Sequence, residues 1–185
     1  MYPPRQQPLL VWTDAMFESR DGLRLDAPEL GCQAAIGVIA WCPRARCYYH
    51  SRLQIAGAVL EWLFAIKEQY IAQLEMLAVL SFYESIPTEV VANRLVLHWV
   101  DNQGVLWNAA HGSSREPGCS ALTHLTSLRQ AQLRCRVWYE YVASKANPGD
   151  APSRGDFSYV VEWAAYVALE RPDGGLSPPS HPWTI

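Results

Sequence analysis

Four acidic residues, spread widely along the chain, could do chemistry if the fold brought them together: Asp14, Glu75, Asp101 and Asp150. Carboxylate oxygens are the ligands that hard divalent cations such as Mg²⁺ prefer. Four carboxylates can hold two such ions ~3.5–4 Å apart, with one ion activating a water and the other stabilising a departing oxygen. Together these side chains would suit the hydrolysis of a phosphodiester.

Glu75 is the most informative of the four. Successive members of the series Ile71, Glu75, Ala78 and Phe82 are three or four residues apart, so all four share one face of a predicted helix. An ionised, unpaired carboxylate on an apolar face is costly and needs either a cation or a raised pKa. Since no Lys or Arg lies on that stripe, a bound metal ion is one solution. Each acid alone is equally compatible with a turn, a cap or an exposed helix edge, so the prediction depends on the set.

The elements that must position these acids follow from hydrophobic patterning. Apolar and β-favouring runs predict five strands, over residues 9–14, 32–41, 46–54, 94–101 and 134–142. Helical spacing predicts helices over 69–84, 102–110, 120–133 (capped by Ser120) and 157–169, whereas residues 55–67 are ambiguous.

This element order predicts an α/β fold. Three successive strands favour an antiparallel meander, and the later strand–helix–strand steps call for parallel pairing through right-handed crossovers. We therefore expect a five-stranded mixed sheet with helices on both faces. Sites in such sheets gather at the carboxyl ends of strands. Asp14 is expected to end the first strand, Asp101 to end the fourth, and Asp150 to follow the fifth.

The length of 185 residues suits one domain. We divide the chain into a leader (1–8), a domain (9–156), a closing helix (157–170) and a Pro-rich tail (171–185).

The formal net charge of −3 gives no strongly basic balance that would announce a nucleic-acid partner. Between residues 94 and 154, however, basic residues outnumber acidic ones, and two of those acids, Asp101 and Asp150, are candidate metal ligands. Two bound divalent cations would also make the potential of the site positive.

Five cysteines without framework spacing indicate reduced thiols in an intracellular protein. Cys42, Cys47 and His50 could suggest zinc, but no second Cys or His pair completes a site. No apolar run approaches the ~20 residues of a membrane helix, and no secretory segment is present.

Four motifs, in this order, resemble those of the ribonuclease H family. They are VWTDA around Asp14, QLEMLA around Glu75, VDN around Asp101, and WYEYVASKANPGDAPSR over residues 138–154. The last is similar to the ending of ribonuclease H domains in retrotransposon reverse transcriptases. The resemblance covers residues 9–155 and implies a ribonuclease H-like fold that cleaves the RNA strand of RNA–DNA hybrids with two Mg²⁺ ions, or Mn²⁺.

The resemblance also implies roles. Asp14 would bridge both ions, Asp150 would join it on the water-activating ion, and Glu75 and Asp101 would complete the other, with Glu75 near a ribose 2′-hydroxyl. Asn102 and Gln103 are candidates for minor-groove contacts, and Arg115, Lys145 and Arg154 for phosphate contacts. The implied partners are an RNA–DNA hybrid and a reverse transcriptase domain in the same polyprotein, with no membrane.

One departure and three alternatives accompany this interpretation. The loop after the fifth strand, residues 143–146, lacks the His that cellular members carry. A proofreading exonuclease would usually have a second acid two residues after Asp14, where this chain has Met16. An inactive module that binds nucleic acid or a protein, and a structural domain from a decayed mobile element, remain open.

Overall fold

The protein is described by a computed structural model that covers residues 7–19, 32–60, 70–158 and 180–182. Its strands are β1 (Leu9–Ser19), β2 (Cys32–Cys42), β3 (Cys47–Gln54), β4 (Leu95–Val100), β5 (Arg136–Tyr141) and β6 (Ser180–Pro182). They form one sheet in the order β5-β4-β1-β2-β3-β6.

The predicted mixed sheet is confirmed. Strands β1, β2 and β3 form an antiparallel meander, while β4 is parallel to both β1 and β5. A sixth strand, β6, adds to the free edge of β3 in parallel orientation. It lies within the tail, where we expect irregular chain, and its last residue is Pro182, which is tolerated at a sheet edge.

The helices are α1 (Tyr70–Ser85), α2 (Thr88–Val91), α3 (Gln103–His111), α4 (Pro117–Leu133) and α5 (Asp150–Ser153). Residues 57–60 are also helical; the rest of the ambiguous segment up to residue 67 lies outside the described residues. So does the predicted closing helix, apart from its first two positions.

The core lies between α1 and the sheet. Leu74, Phe82 and Tyr83 of α1 are fully buried, as are Val11 of β1 and Val38 of β2. Burial of each such side chain stabilises the folded state by about 1.5–3 kcal/mol relative to leaving it exposed to water. This core holds α1 against β1 and so fixes the position of Glu75 along the helix.

The prediction for α4 is wrong in two respects. The helix begins at Pro117, and the carboxylate of Glu116 caps it by accepting from the backbone N–H groups of Gly118 and Cys119, so Ser120 is not the cap. Proline at the first helical position explains the earlier start. Of the leucines that give this segment its helical spacing, Leu125 and Leu128 are 51% and 61% exposed.

Among the described residues, Cys42, Cys47, Cys119 and Cys135 are free cysteines. Cys47 and His50 are three residues apart in a strand and therefore face opposite sides of the sheet, which argues against zinc. No helix within the described ranges combines the length and apolarity needed to cross a bilayer.

Candidate active site

The parallel register of β1 and β4 places Asp14 and Asp101 at the same level of the sheet. Strands β1 and β4 run parallel, and their last paired residues are Trp12 and Trp99. Two residues further along each strand lie Asp14 and Asp101, so the same offset places them side by side. Asp101 directly follows β4, one residue beyond the observed strand end at Val100. Asp14 does not end its strand, because β1 continues to pair with β2 as far as Ser19.

A close approach of backbone to backbone brings Asp150 to the same place. The cross-strand partner of Asp14 is Gly37, and a Cβ on that glycine would lie 2.2 Å from the backbone nitrogen of Ser153 and 2.6 Å from the carbonyl of Gly149. Only a residue without a side chain lets α5 rest on the sheet here.

Asn147 ties the turn before α5 to the central strand. Its amide nitrogen donates to the carbonyl of Thr13 (3.0 Å), and its amide oxygen accepts from the N–H of Gly149 (3.0 Å). These two bonds fix the chain on both sides of the bend that delivers Asp150.

Asp14 is buried, with 6% of its surface exposed. Its Oδ2 accepts a hydrogen bond from the hydroxyl of Ser153 at 2.8 Å. Burial, followed by the charges of Asp101 and Asp150, raises the pKa of Asp14 from 3.8 to about 7 against the lowering effect of Ser153. Near neutral pH this carboxyl is thus poised between its protonated and ionised forms.

Glu75 reaches the same cluster from α1. Its Oε1 accepts a hydrogen bond from the amide of Asn102 at 3.3 Å, directly after Asp101. Burial and the charge of Asp101, with a smaller effect of Asp14, raise the pKa of Glu75 from 4.5 to about 8. Asn102 lowers it by bonding to the ionised form. The acid on the apolar stripe therefore does face the site.

One carboxylate oxygen of Asp101 is the atom of the cluster that most needs a cation. Its Oδ1 is buried and has no hydrogen-bond donor among the described residues. A buried acceptor without a partner costs about 1–3 kcal/mol, and more when charged. A cation in this position would satisfy it.

The side chain of Asp150 is 43% exposed and already has a counter-ion. The guanidinium of Arg154, one helical turn on, donates from Nε to Asp150 Oδ1 at 2.8 Å. The same guanidinium lies 3.6 Å from Glu18 Oε1. The predicted phosphate ligand Arg154 thus lies at the carboxylate cluster itself.

The four carboxylates interact electrostatically, but they do not yet enclose an ion. In the described part of the chain, no three His, Cys, Asp or Glu side chains are arranged closely enough to hold one as they stand. Their chemistry nevertheless fits a hard divalent cation: all donors are oxygen, two pKa values are raised by mutual repulsion as well as burial, and Asp101 Oδ1 has no hydrogen-bond partner among the residues described.

The other predicted nucleic-acid contacts are dispersed. Asn102 caps α3 by accepting from Gly104 and Val105, and Gln103 is exposed at the first turn of that helix. Arg115 lines an open groove of about 650 Å³ between α3 and the start of α4. Lys145 is exposed in the 3₁₀ turn that follows β5.

A buried polar network of Thr13, His98 and Tyr83 holds β1 in place on the face of the sheet opposite Asp14. The hydroxyls of Thr13 and Tyr83 lie 3.0 Å from the Nε2 and Nδ1 of His98 respectively. Burial lowers the pKa of His98 from 6.5 to about 3, so the ring is neutral. Since Thr13 precedes Asp14, this network fixes the strand at the point where the acid projects to the other face.

Sequence reasoning missed three positioning residues: Gly37, Asn147 and Ser153. Asn147 and Ser153 stand in the motif around Asp150, so their place beside that acid was a usable signal. Nothing in the sequence around Gly37 indicates a close approach, because its contact partners are more than a hundred residues away.

Comparison with known proteins identifies the fold as ribonuclease H-like. The N-terminal RNase H domain of Rv2228c from Mycobacterium tuberculosis, solved as a fusion with maltose-binding protein, matches with a TM-score of 0.52 and 13% identity over 85% of this chain and 99% of that one. RNase H1 from Halobacterium salinarum NRC-1 matches with a TM-score of 0.53 and 11% identity over 82% and 98%. No family model and no curated protein matches by sequence.

Proposed function

We propose that this chain is a metal-dependent endonuclease of the ribonuclease H family that cleaves the RNA strand of RNA–DNA hybrids. We further propose that it is part of a retroelement reverse transcriptase, on the strength of the motif around Asp150. The observation that carries the proposal is the cluster of four carboxylates on a ribonuclease H-like sheet, with one buried oxygen of Asp101 that has no hydrogen-bond partner in the described part of the chain.

In this proposal Asp14, Glu75, Asp101 and Asp150 hold the two divalent ions. When bound, such ions lower the pKa of a water and neutralise charge on the transferring phosphoryl group. Ser153 and Asn102 orient Asp14 and Glu75 through the hydrogen bonds described above. Asp14 and Glu75 must release their protons before they can act as ligands, so cation affinity, and with it activity at limiting Mg²⁺, should rise with pH up to about 8.

Selectivity for RNA would come from the 2′-hydroxyl, the group by which a protein distinguishes RNA from DNA. Glu75 is our candidate to lie near that hydroxyl, with Asn102 and Gln103 at the minor groove. Arg115, Lys145 and Arg154 are the candidates for phosphate contacts. The dispersed positions of Arg115 and Lys145 would suit an extended duplex better than a small ligand.

The test is cleavage of an end-labelled RNA–DNA hybrid in Mg²⁺ by the full chain and by Asp101→Asn. We expect cuts in the RNA strand of the hybrid, none in duplex DNA of the same sequence, and loss of cleavage in the variant and after chelation. Arg136→Gln, an exposed change at the opposite end of the sheet, is the control that should cleave normally. Equal cleavage by wild type and Asp101→Asn would assign the activity to a contaminant.

An inactive module that binds nucleic acid is the second candidate. It is favoured by the engagement of Asp150 with Arg154 and by the open arrangement of the acids. Hybrid binding in a gel-shift assay, without cleavage in either Mg²⁺ or Mn²⁺, would select this alternative.

A further inference from the structure

Among the described residues, the ion pairs at the rim of the carboxylate cluster all involve one side chain, Arg154. Its Nε donates to Asp150 Oδ1 at 2.8 Å, within the i,i+4 spacing of one helical turn. The guanidinium therefore already neutralises a carboxylate that is a candidate metal ligand.

The backbone of Arg154 is anchored to the sheet, whereas its side chain is exposed to solvent. Ser153, the preceding residue, is fully buried and bonded to Asp14, and its carbonyl accepts from Arg52 at 3.1 Å. The backbone that carries Arg154 is thus anchored to the sheet. The side chains of Arg154 and Asp150 are 55% and 43% exposed, so the contact between them can open without disturbing the core.

A second carboxylate is within reach of the same guanidinium. Glu18 lies four residues after Asp14 on β1 and hence on the same face of the sheet, and its Oε1 is 3.6 Å from Arg154 Nη1. If the contact with Asp150 opened, Glu18 would keep the positive charge at the rim.

We propose that Arg154 is a displaceable counter-ion of the carboxylate cluster, which occupies Asp150 in the cation-free protein and yields it when a divalent cation binds. Arg154 is then a positioning residue that sets the cation affinity of the site. The inference rests on the proposed function, because it requires that Asp150 be a ligand.

The expected effect of Arg154 on cation affinity is small, because the ion pair between Arg154 and Asp150 is exposed. Exposed ion pairs contribute about 0.2–1 kcal/mol, which corresponds to a change of about 1.4- to fivefold in a dissociation constant. Removing the guanidinium should tighten cation binding by about this factor. Keeping a positive charge at the position should restore the weaker affinity.

The experiment is titration of the full chain with Mg²⁺, and separately with Mn²⁺, by isothermal calorimetry. We expect Arg154→Gln to lower the dissociation constant about 1.4- to fivefold, and Arg154→Lys to stay close to wild type. Arg136→Gln, which removes the same charge from the far end of the sheet, should have no effect. In a double-mutant cycle, the effect of Arg154→Gln should vanish when Asp150→Asn is already present.

Unchanged or weaker binding in Arg154→Gln, or the same tightening with and without Asp150, would overturn the inference. The proposed function fails separately if no variant binds either cation, or if Asp14→Asn and Asp101→Asn bind as tightly as wild type. Circular dichroism of each variant establishes that a loss of binding is not a loss of folding.

Discussion

The close packing of α5 on Gly37 makes a sharp prediction for Gly37→Ala. The added Cβ would lie 2.2 Å from the nitrogen of Ser153, 2.6 Å from the carbonyl oxygen of Gly149 and 2.8 Å from the Cα of Ser153. Ordinary contacts between heavy atoms are about 3.5–4.0 Å. Because all three neighbours are backbone atoms, no side-chain rotation relieves the clash, and α5 must move by roughly 1 Å or more.

This displacement should cost both stability and activity. Overpacking of this kind costs about 1–3 kcal/mol, which for a chain of this size lowers Tm by roughly 2–12 °C. It also moves Asp150 and breaks the 2.8 Å hydrogen bond from Ser153 to Asp14. Since a misplacement of about 1 Å can cost ~10²-fold in rate, hybrid cleavage should fall by about that factor.

Gly57→Ala is the matched control. Position 57 is helical and exposed, and a Cβ there meets nothing within 4 Å. Alanine in a helix should be neutral or more stable by up to about 1 kcal/mol. The assays are thermal unfolding by circular dichroism and initial rates of hybrid cleavage. A Gly37→Ala protein with wild-type Tm and rate would refute the packing of α5 against β2.

The remaining predictions concern the turn before α5 and the buried titratable groups. Asn147→Ala should lower the unfolding free energy by about 1–3 kcal/mol, measured by urea denaturation, because the buried carbonyl of Thr13 loses its side-chain donor; a variant as stable as wild type would contradict this. The unfolding free energy without metal should fall as pH rises from about 4 to 8, because the raised pKa values of Asp14 and Glu75 favour protonated forms in the folded state. Asp14→Asn should flatten that fall, and saturating Mg²⁺ should reverse it; an unchanged slope would argue against buried, coupled acids. The lowered pKa of His98 has the opposite effect: as pH falls below 6.5, the unfolded chain takes up a proton on this residue and the folded protein does not, so the unfolding free energy falls. His98→Gln should therefore reduce this loss of stability at acid pH in the same titration.

The sequence-based predictions succeeded where a local pattern determines the structure. The meander, the parallel crossovers and the helix carrying Glu75 all follow from hydrophobic period and element order. The end of β1 did not, because a strand that pairs with a long neighbour continues through polar residues such as Glu18. Residue preferences predict that β1 ends at Asp14, whereas its backbone hydrogen bonds to β2 continue to Ser19.

Surface and packing details were harder to predict for a different reason. In α4, Leu122 and Leu133 face the core, while Leu125 and Leu128 share the helical period but lie on the outer side. Which face of a helix is buried depends on its neighbours, here α1 and α3. The need for glycine at position 37 likewise depends on a segment more than a hundred residues away.

The most direct test of the central claim is a crystal structure of the protein grown in Mn²⁺, with anomalous scattering used to locate the ions. We predict two anomalous peaks ~3.5–4 Å apart, both in contact with Asp14 and enclosed by Glu75, Asp101 and Asp150. Well-diffracting crystals in saturating Mn²⁺ with no peak at these carboxylates would contradict the account.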